Sequence, residues 1–465
     1  MKSRKCILIR IALHKHFNNV KRKKKKRSKR RLEHRLYLQI LQGFGGRPSI
    51  DNVIEKYLPS NIMYLLTEEN SPLNLNLIKE TPSQYEGIYK VPVIFSLIEN
   101  ANKSYEFLKS LTAALAFQRN RKIIIDYKEC KKITLEAQVF LDIILKEMIV
   151  FYRRCERIPK FSPYVEQIKG NNIVDNNIKK ILYSVGSPAI HANKHLKFPE
   201  VIPYSLCIHE VEEENVKQIE QKDLDTTALV EYVIACLNRM NKSIAPEKLD
   251  DLCTVIGEIL INAEEHSTTK FRFSIGYFEE KEIDSVHVGV FQLVILNFGK
   301  TIYEKFKDPN CPNQDIVDKM KNLSHSYTQK NFLQKKKFEE ETLWTLYALQ
   351  EGVTSVPTNK YIKRGNGSIR FIESFFNIKG SQDVDNISRL VIQSGCSNIT
   401  FDGKYNIVEK QIGEESFKIM TFNNSGNIED KPDNKYVQCV DNYFPGTFIS
   451  AQILLNEDDL ENNNK

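Results

Sequence analysis

Glu258, Asn262 and His266 recur at four-residue spacing within Leu249 to His266, which reads L-D-D-L-C-T-V-I-G-E-I-L-I-N-A-E-E-H. On a helix that spacing stacks a carboxylate, an amide and an imidazole in one row. The carboxylate can polarise a water, the amide oxygen can ligate a hard cation, and the imidazole can meet a phosphate. Magnesium takes oxygen ligands, keeps several waters and is completed by substrate phosphates, so one Asn beside phosphate oxygens is a sensible shell. Leu252, Val255, Ile256, Ile259, Leu260 and Ala263 recur at three- and four-residue spacing, which predicts the amphipathic helix that would carry the row. A polar helix face meeting solvent would explain the same residues.

Three further motifs follow. Phe291 to Leu296 is almost unbroken apolar sequence, predicts a buried strand, and runs into Asn297-Phe298-Gly299-Lys300-Thr301. Lys363-Arg364-Gly365-Asn366-Gly367-Ser368 precedes an amphipathic stretch, Ile369 to Phe376. Glycines there leave backbone N–H groups and the positive end of a helix dipole open to a phosphate, and Arg364 adds a charge. Pro445-Gly446-Thr447 opens a second alternating strand. An ordinary turn would account for each motif taken alone.

In this order the motifs resemble those of the GHKL ATPases, the family that includes gyrase and the histidine kinases. E-I-L-I-N-A-E-E-H is similar to their N-box, N-F-G-K-T to their D-x-G-x-G, the segment around Gly365 and Gly367 to their lid and G-x-G, and Gly446-Thr447 to their closing strand. The resemblance covers about residues 225–457. It implies an α/β sandwich with a mixed sheet covered by helices, binding ATP and Mg2+. It implies Glu258 as general base, Asn262 as magnesium ligand, and His266 as a phosphate-side contact. Asn297, Gly299, Thr301 and Thr447 would then meet the adenine, and Arg364, Gly365, Gly367 and Ser368 the phosphates. Asn297 replaces the family's Asp and Thr301 its second Gly. An amide oxygen still accepts from an adenine amino group, without the charge that makes such a bond roughly twice as strong. Tyr303 to Ala348, dense in Lys and Glu, occupies the region where a lid would close.

Ahead of this half, residues 88–190 alternate short β-branched runs with amphipathic helices, which predicts a smaller α/β domain. Lys122 to Asp126 reads as a strand, Leu135 to Tyr152 as a helix, and Asn177 to Val185 as another ending at Gly186. The order of elements around Ile123 to Ala137 resembles the STAS domain, the anti-sigma-factor-antagonist fold. That resemblance implies Thr134 at the position that takes phosphate in regulatory members; as a residue, Thr134 reads as a helix cap. Residues 1–47 read as a basic disordered tail, 48–87 as a connector, 191–224 as a linker, and 458–465 as an acidic, polar tail. The fold class expected of the whole is α/β (α+β).

The formal charge of +8 hides an uneven distribution. Lys2 to Arg35 holds sixteen Lys or Arg against Glu33, so the remaining chain is mildly acidic. Such a run is normally solvated and could touch nucleic acid phosphates without reading sequence. Nine scattered cysteines, with no C-x-x-C, argue against a zinc site and against a disulfide scaffold, and fit a reducing cytosol. No run approaches the ~20 apolar residues that span a bilayer. The function expected is a nucleotide-dependent ATPase switch acting on a protein partner through its STAS-like part, with a homodimer as a compatible assembly. A Ser/Thr kinase of the anti-sigma type and a non-hydrolysing nucleotide-sensing scaffold are the alternatives. His209-Glu210-Val211-Glu212-Glu213 has Glu213 where a histidine kinase carries Asn or Thr, and follows Pro203 in what reads as linker.

Overall fold

A computed structural model describes residues 57–79, 87–117, 122–155, 167–190, 196–210, 216–241, 243, 246–265, 267–283, 285–328, 338–355, 367–379, 388–412 and 415–456. Both termini, including the basic run and the acidic tail, lie outside them, as do the side chains of some helix residues.

The first described elements are helices α1 (Ser60–Thr67) and α2 (Leu75–Lys79). Strands β1 (Ile88–Lys90) and β2 (Ile94–Phe95), helix α3 (Ala101–Phe117), strands β3 (Lys122–Asp126) and β4 (Lys132–Ile133), helix α4 (Leu135–Cys155), strand β5 (Gln167–Asn171) and helix α5 (Asn176–Ser184) follow. β1, β3 and β5 form a parallel sheet in that order, and β2 pairs with β4. α5 starts where predicted because Asp175 accepts from the N–H groups of Asn177 and Ile178, and it ends at Gly186, whose φ is +63°.

β6 (Val201–Glu210), α6 (Val216–Arg239), α7 (Pro246–Glu265), β7 (Phe271–Ile283) and β8 (Val286–Phe298) come next. α8 (Ile302–Lys307), α9 (Gln314–Thr328), α10 (Glu340–Ala348) and α11 (Gly367–Lys379) precede β9 (Arg389–Phe401), the hairpin β10 (Val408–Ile412) and β11 (Glu415–Ile419), and the long β12 (Val437–Asn456). The main sheet has the order β6-β7-β8-β12-β9 with every neighbouring pair antiparallel, so among the described residues it is not the mixed sheet expected of this half. The protein is thus mixed α/β (α+β), and among its described residues no helix is long and apolar enough to cross a membrane.

Side chains alternate across this sheet, and each face closes its own core. Phe273, Ile275 and Tyr277 of β7, Val294, Leu296 and Phe298 of β8, and Phe444 and Phe448 of β12 join the core built with α1, α3 and α4. Phe278, Phe291, Leu293, Ile295, Leu390, Ile392, Ala451 and Ile453 join the opposite core, with α6, α7, α10 and α11. The first core is knitted by Phe140 of α4, whose ring lies 5.4 Å from Phe298 and 5.9 Å from Phe444.

Two stretches differ from the sequence expectation. Residues 191–224, read as a linker, contain β6, an edge strand of the main sheet, and the start of α6. Pro203 suggested a connector, yet an edge strand tolerates a proline because one side of it needs no ladder donor. Residues 48–87, read as a connector, contain α1, whose Ile62, Leu65 and Leu66 are buried in the first core.

Candidate functional site

Asn297 closes β8 on the face that Leu293 and Ile295 give to the second core, since it continues their two-residue alternation. Its cross-strand neighbours are Arg272 of β7 and Thr447 of β12, and Thr447 is in turn opposite Ser394 of β9. The same alternation puts all four side chains on the face covered by α6, α7, α10 and α11. Four polar residues thus form a row across this end of the sheet.

Arg272, Asn297 and Ser394 are buried and Thr447 is half-buried, and the row is only partly satisfied. Asn297 is 2% exposed and its Nδ2 has no hydrogen-bond partner among the described residues. The hydroxyls of Ser394 and Thr447 lie 2.8 Å apart, and Ser394 Oγ also accepts from the N–H of Ile302 at 2.9 Å. Arg272 donates from Nε to Glu264 and from NH2 to Asp225, each at 2.7 Å, while its NH1 has no partner among the described residues. An unpaired buried donor costs about 1–3 kcal/mol, so two of them in register neighbours mark a place suited to an acceptor-bearing group.

Asp225 and Glu264 come from α6 and α7, and His209 of β6 completes the group, its Nδ1 3.3 Å from Asp225 and its Nε2 3.6 Å from Glu264. This cluster of two acids, an arginine and a histidine was not anticipated. His209 was visible only as part of a string that failed a histidine-kinase pattern. The available signal was the alternation of β6, which places His209 opposite Arg272.

The turn after β8 is tight. Gly299 has a φ of +156°, and its N–H donates to the carbonyl of Pro445 at 3.3 Å. Thr301, expected to touch the nucleotide, is fully buried and caps α8. Its hydroxyl accepts from the N–H of Glu304, whose carboxylate accepts from the N–H of Thr301 in return. That capping box explains a Thr where the resembled motif has Gly.

Asn262 lies in α7, is partly exposed, and sits on the helix that packs on β7 and β8. Glu258 belongs to the same helix, but its side chain lies outside the described residues, as do His266, Arg364 and Gly365. Gly367 is the first residue of α11 and Ser368 follows it, half-buried. α11 packs against α7 and β12, so the helices that carry Asn262 and Ser368 are neighbours on the face bearing Asn297 and Thr447. The expected lid region is in part a core element: Leu343, Trp344, Leu346 and Tyr347 of α10 are buried, and the Trp344 indole donates to Ser324 Oγ of α9 at 3.1 Å.

In the smaller unit Thr134 directly precedes α4, but its hydroxyl is engaged with the Glu136 carboxylate and the Phe95 carbonyl. Burial holds the Glu136 carboxyl above its ordinary range, and Ser96 Oγ donates to the same carboxylate at 3.2 Å.

Among the described residues no group of three or more His, Cys, Asp or Glu side chains is placed to hold a metal ion. Comparisons with family models, with curated proteins and with solved structures find no match for this chain.

Proposed function

We propose that the chain binds ATP with magnesium at the Asn297 end of the main sheet and works as a GHKL-type, nucleotide-dependent switch. The observation that carries the reading is the buried amide of Asn297, whose Nδ2 has no partner among the described residues, beside Thr447 on the face covered by α7 and α11. The four motifs that resemble the family are spread over about 200 residues, and the described parts of all four belong to elements meeting on this one face.

In this reading Asn297 and Thr447 hold the base, and the start of α11 offers its free N–H groups to phosphate. Asn262 supplies one oxygen to magnesium, whose shell phosphate and water complete. Glu258 orients the attacking water. Arg272, fixed by Asp225 and Glu264, keeps the floor of the site rigid. The STAS-like reading of the smaller unit gives the switch an output. Phe140 of α4 touches Phe298, the residue directly after Asn297, so a partner acting on α4 and the nucleotide site would share one packing contact.

Purified protein with γ-labelled ATP and magnesium separates the readings. Free labelled phosphate, lost in Glu258→Ala with binding retained, supports the ATPase. Label on protein would mean kinase chemistry, and binding without either product a sensing scaffold. Release that survives Glu258→Ala would remove Glu258 from the mechanism.

A further inference from the structure

Cys396 of β9 and Cys439 of β12 bring their sulfurs to 2.7 Å, well inside non-bonded contact. In a regular ladder these two would face opposite sides, because Cys439 is the register partner of Ser397, not of Cys396. The pairing of β9 with β12 breaks its register directly after Cys439 and resumes at Phe444 opposite Gly395, and there the two thiols meet.

We infer that Cys396 and Cys439 are a modification site, a thiol pair that closes to a reversible disulfide when the protein meets a low-molecular-weight disulfide. Their positions suit unequal roles. Cys439 is exposed and can be reached from solvent, whereas Cys396 is partly covered. The contact between the two sulfurs lowers the Cys439 thiol from its ordinary range, and the same pairing, with burial and the nearby Glu341 carboxylate, pushes the Cys396 thiol up. The more acidic thiol is therefore also the accessible one.

The chemistry closes in two exchanges. The Cys439 thiolate attacks one sulfur of oxidised glutathione, a mixed disulfide forms, and one glutathione thiolate leaves. Cys396 then gives up its proton to solvent and attacks the Cys439 sulfur, expelling the second glutathione thiolate. Two electrons pass from the cysteine pair to glutathione disulfide, which ends as two thiols. The new bond joins the irregular part of β12 to β9, two residues from Ser394.

The test is to treat the full chain with oxidised glutathione, trap free thiols with N-ethylmaleimide, digest, and map the peptides without reduction. The expected product is one linked peptide pair joining Cys396 to Cys439, released by dithiothreitol. Cys396→Ser should stop at a glutathione adduct on Cys439, and Cys439→Ser should leave Cys396 alkylated. A wild-type chain whose Cys439 holds glutathione, stays alkylated, or joins a different cysteine overturns the inference. The decisive reading comes from the wild-type protein, so it stands even if a variant fails to fold.

Discussion

Gly446 and Asn297 are locked together by backbone: a Cβ at position 446 would fall 2.1 Å from the Asn297 carbonyl oxygen, and Gly446 has a φ of +146°. No side chain fits that contact, and few backbones other than glycine adopt that angle. The glycine therefore sets how closely β12 approaches the end of β8, which in turn aligns Thr447 with Asn297. Gly446→Ala should destabilise the fold by at least about 2 kcal/mol through strain and overpacking. Urea unfolding followed by circular dichroism measures this; an unchanged midpoint would mean that the strands separate without cost.

Asn297→Asp addresses the base contact. A carboxylate there would accept a charge-assisted hydrogen bond from an adenine amino group, and it would stand opposite Arg272, whose NH1 has no partner among the described residues. The gain over a neutral acceptor is about 1 kcal/mol, roughly fivefold in affinity. Calorimetric titration with ATP and magnesium should show tighter binding in the variant. Weaker binding would mean that the amide N–H, not its oxygen, makes the contact.

The elements that carry these residues were legible in the sequence. The apolar run Phe291 to Leu296 marked β8, the glycines marked its turn, and the spacing of Leu252 to Ala263 marked α7. Thr301 was legible as a departure but not as a cap, because its partner Glu304 is seen only once α8 starts there. β6 was hidden by Pro203, and with it the place of His209 beside Arg272. Residue spacing also cannot show a register break, so the meeting of Cys396 with Cys439 had no trace in the sequence.

Arg272 is 1% exposed and neutralises two carboxylates that are themselves nearly buried. Replacing it with Met would leave Asp225 and Glu264 without their fixed cation, a loss of about 3–5 kcal/mol. Thermal unfolding at neutral pH should show a large fall in Tm. A small change would mean that the acids relax to water or take up protons at little cost.

Asp142 of α4 gives stability a pH dependence. Burial raises its pKa from 3.8 to about 7, against hydrogen bonds from Ser187 Oγ at 2.7 Å and Gln138 Nε2 at 3.0 Å and the charge of Lys146. Between those limits the folded chain holds a proton that the unfolded chain has released. This contribution is thus complete below about pH 4, falls as pH rises, and is gone above about pH 7. Asp142→Asn should flatten the decline in Tm between about pH 4 and 7. Parallel curves for the two proteins would show that Asp142 ionises without penalty.

The most direct measurement is a crystal structure of the protein with magnesium and a non-hydrolysable ATP analogue. The purine should lie within hydrogen-bonding distance of the Asn297 amide and the Thr447 hydroxyl, with phosphates between Asn262 and the first turn of α11. A nucleotide seated elsewhere, or none at saturating analogue, would contradict the account.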